Sequence, residues 1–151
     1  MIRRAVGTDA ARIVAIVTAA YTRYIPRIGR KPGPMLDDYG ARILADQVWV
    51  LEDLSEMRSV LVLENTPAQF LLDNIAVAPE FHGAGYGRAL LMFAEQEAVR
   101  RGHDAIHLYT HALMTENISL YRRIGYTETR RVIEKGFNRV YMVKNLAQRG
   151  P

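Results

Sequence analysis

The run LDNIAVAPEFHGAGYGRALL, residues 72–91, constrains this chain more than any other stretch. It reads as a β-strand, an exit marked by Pro79, a glycine-rich loop and then the start of a helix. Gly83, Gly85 and Gly87 let the backbone turn tightly and approach a ligand without a Cβ in the way. A helix beginning there presents unpaired N–H groups and the positive end of its dipole, a natural seat for a pyrophosphate.

Two common glycine loops fail against it. A P-loop requires Lys-Ser or Lys-Thr after its second glycine, and neither follows here. A dinucleotide fingerprint requires Gly-x-Gly-x-x-Gly at the first βαβ turn, whereas the spacing here is Gly83-x-Gly85-x-Gly87, halfway down the chain. The pattern that fits is Gln/Arg-x-x-Gly-x-Gly/Ala after a strand. On these residues the chain resembles the GCN5-related N-acetyltransferase (GNAT) family, whose loop binds coenzyme A. His82 stands at the Gln/Arg position and is a departure, although a cradle of backbone N–H groups does not depend on it.

At 151 residues, the chain predicts a single domain, 1–151, able to bury its own core. No apolar run approaches the ~20 residues of a membrane span. The N-terminus lacks an apolar leader core, which predicts no export and a cytoplasmic protein without membrane partners. With no cysteine, disulfides and cysteine-based metal sites or nucleophiles are excluded. The net charge of +4 comes from scattered arginines with no aromatic–basic motif, so no nucleic acid partner is expected.

Local patterns predict strands over 2–6, 47–52, 59–64, 70–78, 105–110, 127–133 and 137–143. Helices are expected after a Thr8 or Asp9 cap, over 37–45, after the glycine loop up to Gly102, and over 115–124. Residues 24–34, rich in Pro, Gly and basic side chains, read as a loop. This order, β-α-α-β-β-β-α-β-α-β-β, is similar to the GNAT fold from end to end. The resemblance implies an α/β (α+β) acyl-CoA N-acyltransferase fold. Its mixed central sheet is splayed between strands 4 and 5 and flanked by about four helices.

The resemblance also implies a site. Ile75, Ala76 and Val77 lend strand backbone to the pantetheine arm, since an extended edge pairs with amides as another strand would. His82, Gly83, Ala84, Gly85, Tyr86 and Gly87 cradle the pyrophosphate, and Arg88 reaches an outer phosphate. The segment Asn117-x-x-x-Tyr121-x-x-x-Gly125-Tyr126 resembles the family's Asn…Tyr…Gly-Phe/Tyr pattern. Asn117 and Tyr121 share one helix face. In the family the Asn contacts pantetheine and the Tyr hydroxyl protonates the departing thiolate. The backbone N–H of Val77 is the expected oxyanion donor.

Asp73 is the candidate general base. It shares a strand face with Ile75 and Val77, and a structural Asp is the competing reading. His111, Glu116 or ordered water are the other candidates. Acceptor-binding residues are expected among Tyr21, Tyr24, Asp37, Asp38, Tyr39 and His111, with a carboxylate holding an ammonium. Asp37 and Asp38 equally suit a helix cap. His103, His107 and His111 are four apart. On a strand that spreads them over roughly 27 Å, so no metal site is expected.

The expected function is therefore direct transfer of an acetyl group from acetyl-CoA, a co-substrate, to a primary amine on a small molecule. One alternative is acetylation of a protein N-terminus or lysine. The other is a non-catalytic acyl-CoA-binding regulatory module, which degraded cofactor residues would favour. A homodimer is consistent with the resemblance.

Overall fold

A computed structural model describes residues 1–146. Its strands are β1 (Ile2–Arg4), β2 (Val48–Asp53), β3 (Glu56–Asn65), β4 (Phe70–Val77), β5 (Ala105–His111), β6 (Thr127–Glu134) and β7 (Phe137–Asn145). The helices are α1 (Ala10–Tyr21), α2 (Ile25–Ile28), α3 (Tyr39–Leu44), α4 (Tyr86–Arg100) and α5 (Thr115–Arg123). The strands form one mixed sheet in the order β1-β2-β3-β4-β5-β7-β6.

The chain divides into two compact units, Met1–Leu63 with Asp73–Phe93, and Glu64–Leu72 with the chain from Ala94 onward. In the first unit β1, β2 and β3 form an antiparallel meander, Ile2 opposite Leu51 and Val48 opposite Val62. Its core is aliphatic: Ile13, Ile16 and Val17 from α1, Val48 and Val50 from β2, Val60, Leu61 and Val62 from β3, and Leu90 from α4 are all fully buried. Each such side chain contributes about 1.5–3 kcal/mol by leaving water. Asp9 does not cap α1 through its side chain. It accepts instead from the Val6 N–H (2.7 Å) and from Arg3 (2.8 Å), which also pairs with Glu52. That knot ends β1 at Arg4, two residues earlier than the local pattern suggests.

In the second unit β5 pairs antiparallel with β7 from Ala105–Asn145 to His111–Arg139, and β7 pairs with β6. The opening of β4 runs parallel to β5 at Leu71–His107 and Leu72–Leu108. A parallel contact this short fits the expected splay. Phe70, Ile106, Leu108, Val140, Met142 and Tyr126 form the core of this unit, each at most 2% exposed.

Two local readings change. The stretch 24–34 holds the one-turn helix α2, with Pro26 in its first turn and Gly29 closing it in the left-handed region (φ 88°). Pro near the start and Gly just past the end is a helix signature, and a single turn is too short to show helical periodicity. The helix expected over 37–45 is trimmed to Tyr39–Leu44, because Asp38 takes the cap and accepts from the Ala41 N–H at 3.0 Å.

Candidate active site

The first unit holds the end of β4 and the glycine loop. Burial alternates along β4: Asn74 and Ala76 are buried, whereas Asp73, Ile75 and Val77 are half-buried on the other face. The side chains of Ile75 and Val77 therefore lie on the half-buried face of this strand. The Ala78 N–H donates to the Arg58 carbonyl of β3 (2.9 Å). Because strand polar groups alternate sides, those of Ile75 and Val77 face the edge opposite β3. Both carbonyls accept from side chains there, Ile75 from the Tyr21 hydroxyl (3.0 Å) and Val77 from His82 Nε2 (3.0 Å). His82, exposed in the loop, thus ties that loop back to its strand.

Gly83 and Gly85 lie in the left-handed region, with φ of 82° and 88°, and a Cβ on either would meet nothing within 4 Å. The conformation demands glycine, and the space before it is open. At Gly87 a Cβ would stand 3.4 Å from Val77 Cγ2, so the start of α4 sits directly on the strand end. The Ala89 N–H bonds to the Gly85 carbonyl, which leaves the N–H groups before it without an intrahelical partner. Tyr86 turns its side chain away from the loop. Its hydroxyl donates to Asp53 (2.8 Å) and accepts from Arg58 (2.9 Å), whose guanidinium lies 4.2 Å from the Phe81 ring centre. Ala84 and Arg88 are exposed. These features fit a coenzyme A pyrophosphate, which needs backbone donors and close approach rather than particular side chains.

Beside β4 the acceptor candidates form a buried polar chain. The Tyr21 hydroxyl donates to Asn74 Oδ1 (2.6 Å), Asn74 Nδ2 donates to the Tyr39 hydroxyl (3.0 Å), and that hydroxyl donates to the Pro34 carbonyl (2.6 Å). Tyr24 and Tyr39 are 3% and 4% exposed, so they support the 22–36 segment from inside instead of walling a cleft with open ring faces. Burial, and then the charge of Asp37, pushes the Tyr39 phenol well above its usual range. Asn74 is absent from the sequence-based candidates. The available signal is a polar residue at an inward strand position, which must find partners when buried.

The carboxylates have structural partners. Arg42 bridges Asp37 (2.9 Å) and Asp73 (3.2 Å), and Asp73 is only 9% exposed in its side chain. Asp38 is the α3 cap. Asp73 thus shares the face of Ile75 and Val77 as expected, but with a guanidinium on one oxygen.

The second unit holds Asn117 and Tyr121 on α5. Asn117 is half-buried, with Nδ2 3.6 Å from the Met114 sulfur. Tyr121 is 6% exposed and packs edge-on against Tyr126 at 5.7 Å between ring centres. Glu116 is exposed in the first turn of α5. His111 closes β5. Its Nδ1 accepts from the Leu113 N–H (3.1 Å), and burial lowers its pKa. Burial thus favours the neutral ring, and the Nδ1 lone pair is engaged by that N–H. His103 Nε2 lies 2.6 Å from Asn65 Oδ1.

Among the described residues no helix is long and apolar enough to cross a membrane.

The acetyltransferase (GNAT) domain family matches residues 45–128. A mycothiol acetyltransferase from Pseudarthrobacter chlorophenolicus is 43% identical over 53 residues, 35% of this chain and 16% of that protein. The match thus spans about a sixth of that relative's length. A nourseothricin acetyltransferase structure is 25% identical, with a TM-score of 0.60 over 66% of this chain and 65% of that one. The PaiA N-acetyltransferase of Thermoplasma acidophilum in complex with coenzyme A is 16% identical, with a TM-score of 0.79 over 96% of this chain and 98% of that one, a likeness of fold.

Proposed function

Because the chain belongs to the GNAT acetyltransferase family, we propose that this N-acetyltransferase moves an acetyl group directly from acetyl-CoA to a primary amine on a small molecule. The glycine loop carries the reading: a cradle open in front of Gly83 and Gly85 and seated on Val77. We take residues 1–151 as one catalytic domain, since β4 and α4 each contribute to both compact units; 147–151 lie outside the described residues.

Acetyl-CoA supplies an already activated thioester, so no covalent enzyme intermediate is needed. The chain's own residues bind and orient it. The N–H groups from Gly83 to Gly87 hold the pyrophosphate, aided by Arg88, while the strand 75–77 offers the outward polar groups of Ile75 and Val77, spaced by Ala76, to the pantetheine amides. The Val77 N–H donates to the carbonyl oxygen as charge develops there. Asn117 positions the pantetheine arm, and the Tyr121 hydroxyl protonates the leaving thiolate. Asp73 is tied to Arg42 and the His111 Nδ1 is engaged by the Leu113 N–H, so the amine proton leaves to water, with Asp73 fixing charge at that end. Tyr24, Asp38 and Tyr39 hold the acceptor segment in place. The mycothiol and nourseothricin acetyltransferase matches support a small-molecule acceptor.

Isothermal titration with acetyl-CoA and with CoA tests the reading. The wild-type protein binds both, and Gly85→Glu, which sets a negative charge in the cradle at a strained φ, loses both. Absence of binding by the folded wild-type chain would overturn it.

A further inference from the structure

We infer that Tyr86 is a positioning residue for the cofactor: its hydroxyl, clasped by Asp53 and Arg58 of the β2–β3 hairpin, holds the glycine loop in the form that receives the pyrophosphate; this rests on the acetyltransferase reading above. From Gly83 to Gly87, Tyr86 is the one residue with a side chain larger than a methyl group. Glycine loses more backbone freedom on ordering than any other residue, so a loop built on Gly83, Gly85 and Gly87 is costly to hold ready for a ligand. A Cβ at Gly83 or Gly85 would meet nothing within 4 Å, so restraint has to come from the ends of the loop. His82, bonded to the Val77 carbonyl, fixes the first end.

Tyr86 fixes the second end, where α4 begins. Its hydroxyl donates to Asp53 Oδ2 at 2.8 Å and accepts from Arg58 Nη1 at 2.9 Å. Asp53 closes β2 and Arg58 lies in β3, and Arg58 Nε donates to the Asp53 carbonyl at 3.2 Å, so the two partners are tied to each other. The Arg58 guanidinium carbon stands 4.2 Å from the Phe81 ring centre and 5.4 Å from that of Tyr86, and these two rings meet edge-on at 6.1 Å. The Arg58 carbonyl accepts from the Ala78 N–H. One arginine thus touches the chain before the loop, at Ala78 and Phe81, and after Gly85, at Tyr86. All of these residues lie in the first unit.

Both bonds to the hydroxyl have an ionised partner, which makes them stronger than bonds between neutral groups. Donation to Asp53 also holds the Tyr86 phenol above its usual range, so the proton that makes the bond stays in place. The clasp gives no atom to the pyrophosphate. It acts by reducing the number of loop conformations that must be given up when the ligand binds, the usual gain of a preorganised site. Its effect therefore falls on cofactor affinity and not on the transfer step.

The test is calorimetric titration of the full chain with CoA, well below the thermal midpoint, for the wild type, Tyr86→Phe, Asp53→Ala and Asp53→Asn. Tyr86→Phe deletes the hydroxyl and keeps the ring on Phe81. It should weaken CoA binding roughly tenfold, the equivalent of one hydrogen bond to a charged group. Asp53→Ala should weaken binding to a similar degree. Asp53→Asn, whose amide oxygen still accepts, should restore most of it. Tyr86→Phe combined with Asp53→Ala should weaken binding no more than either alone, because both remove the same contact. Circular dichroism verifies each fold, and the two Asp53 variants carry the test if Tyr86→Phe unfolds. A clasp that serves only the stability of the fold lowers the thermal midpoint and leaves the affinity of the folded protein unchanged, and that result overturns the inference. So do additive losses in the double variant, or equal losses in Asp53→Asn and Asp53→Ala. Absence of CoA binding by the folded wild type overturns instead the acetyltransferase reading, and this inference with it.

Discussion

Replacing Tyr121 with Phe removes one hydroxyl and keeps the ring on Tyr126, so it isolates proton donation from packing. Turnover should fall about 100-fold, within the range general acids contribute, while acetyl-CoA affinity measured by titration stays constant. Undiminished turnover would exclude Tyr121 as the acid. His82 tests the cradle. Its bond to the Val77 carbonyl fixes the loop on the strand, and one such bond contributes about 1 kcal/mol. His82→Ala should weaken CoA binding about fivefold, and His82→Gln, which keeps a donor, should restore it. Equal weakening by both substitutions would show that the imidazole acts in another way.

Among the elements, the β2–β3 hairpin carries an avoidable strain. Leu54 and Ser55 connect it with φ of 53° and 61°, the left-handed region that costs an ordinary residue about 1–2 kcal/mol. A two-residue turn of this hand prefers Asn followed by Gly. Leu54 is 85% exposed and gives up little packing. Leu54→Asn combined with Ser55→Gly should raise stability by about 1–2 kcal/mol, and the thermal midpoint by about 2–4 °C per kcal/mol. A lower midpoint in differential scanning calorimetry would mean that the turn is held by contacts of Leu54 itself.

For the molecule as a whole, stability should form a plateau in pH bounded on both sides. The Arg3 guanidinium, by hydrogen bonds first, holds the Asp9 carboxyl below its usual range, and Arg100 does the same for Glu97. A carboxyl whose folded pKa is depressed contributes stability that is present above the unfolded value, about 4, and is lost as pH falls. Tyr39 and Tyr126 behave in the opposite sense. Burial raises both phenols well above their usual value. Their contribution is complete below the unfolded value, about 10, and is lost as pH rises past it. Urea midpoints measured from acid to alkaline pH should fall below about pH 4 and above about pH 10. A midpoint unchanged through the alkaline limb would show that neither phenol stays protonated in the fold.

The glycine loop, the order of strands and helices and the Asn117–Tyr121 pair were legible because each is a local pattern. Glycine spacing, Pro79, strand alternation and helical periodicity are complete within a few residues, and so is the backbone geometry they dictate. The fate of individual polar groups was not. Asp73 meets Arg42 across 31 positions, Asn74 meets Tyr39 across 35 and Tyr21 across 53. Which carboxylate keeps a positive partner and which tyrosine is buried depend on packing between α1, α3 and β4. No periodicity in the chain encodes those pairings, because a buried polar group is satisfied by whatever the fold brings to it. By itself the sequence determined the architecture and the place of the glycine loop between β4 and α4. Only the tertiary structure decided which charges surround β4, because charge balance there is set by pairings made across the fold.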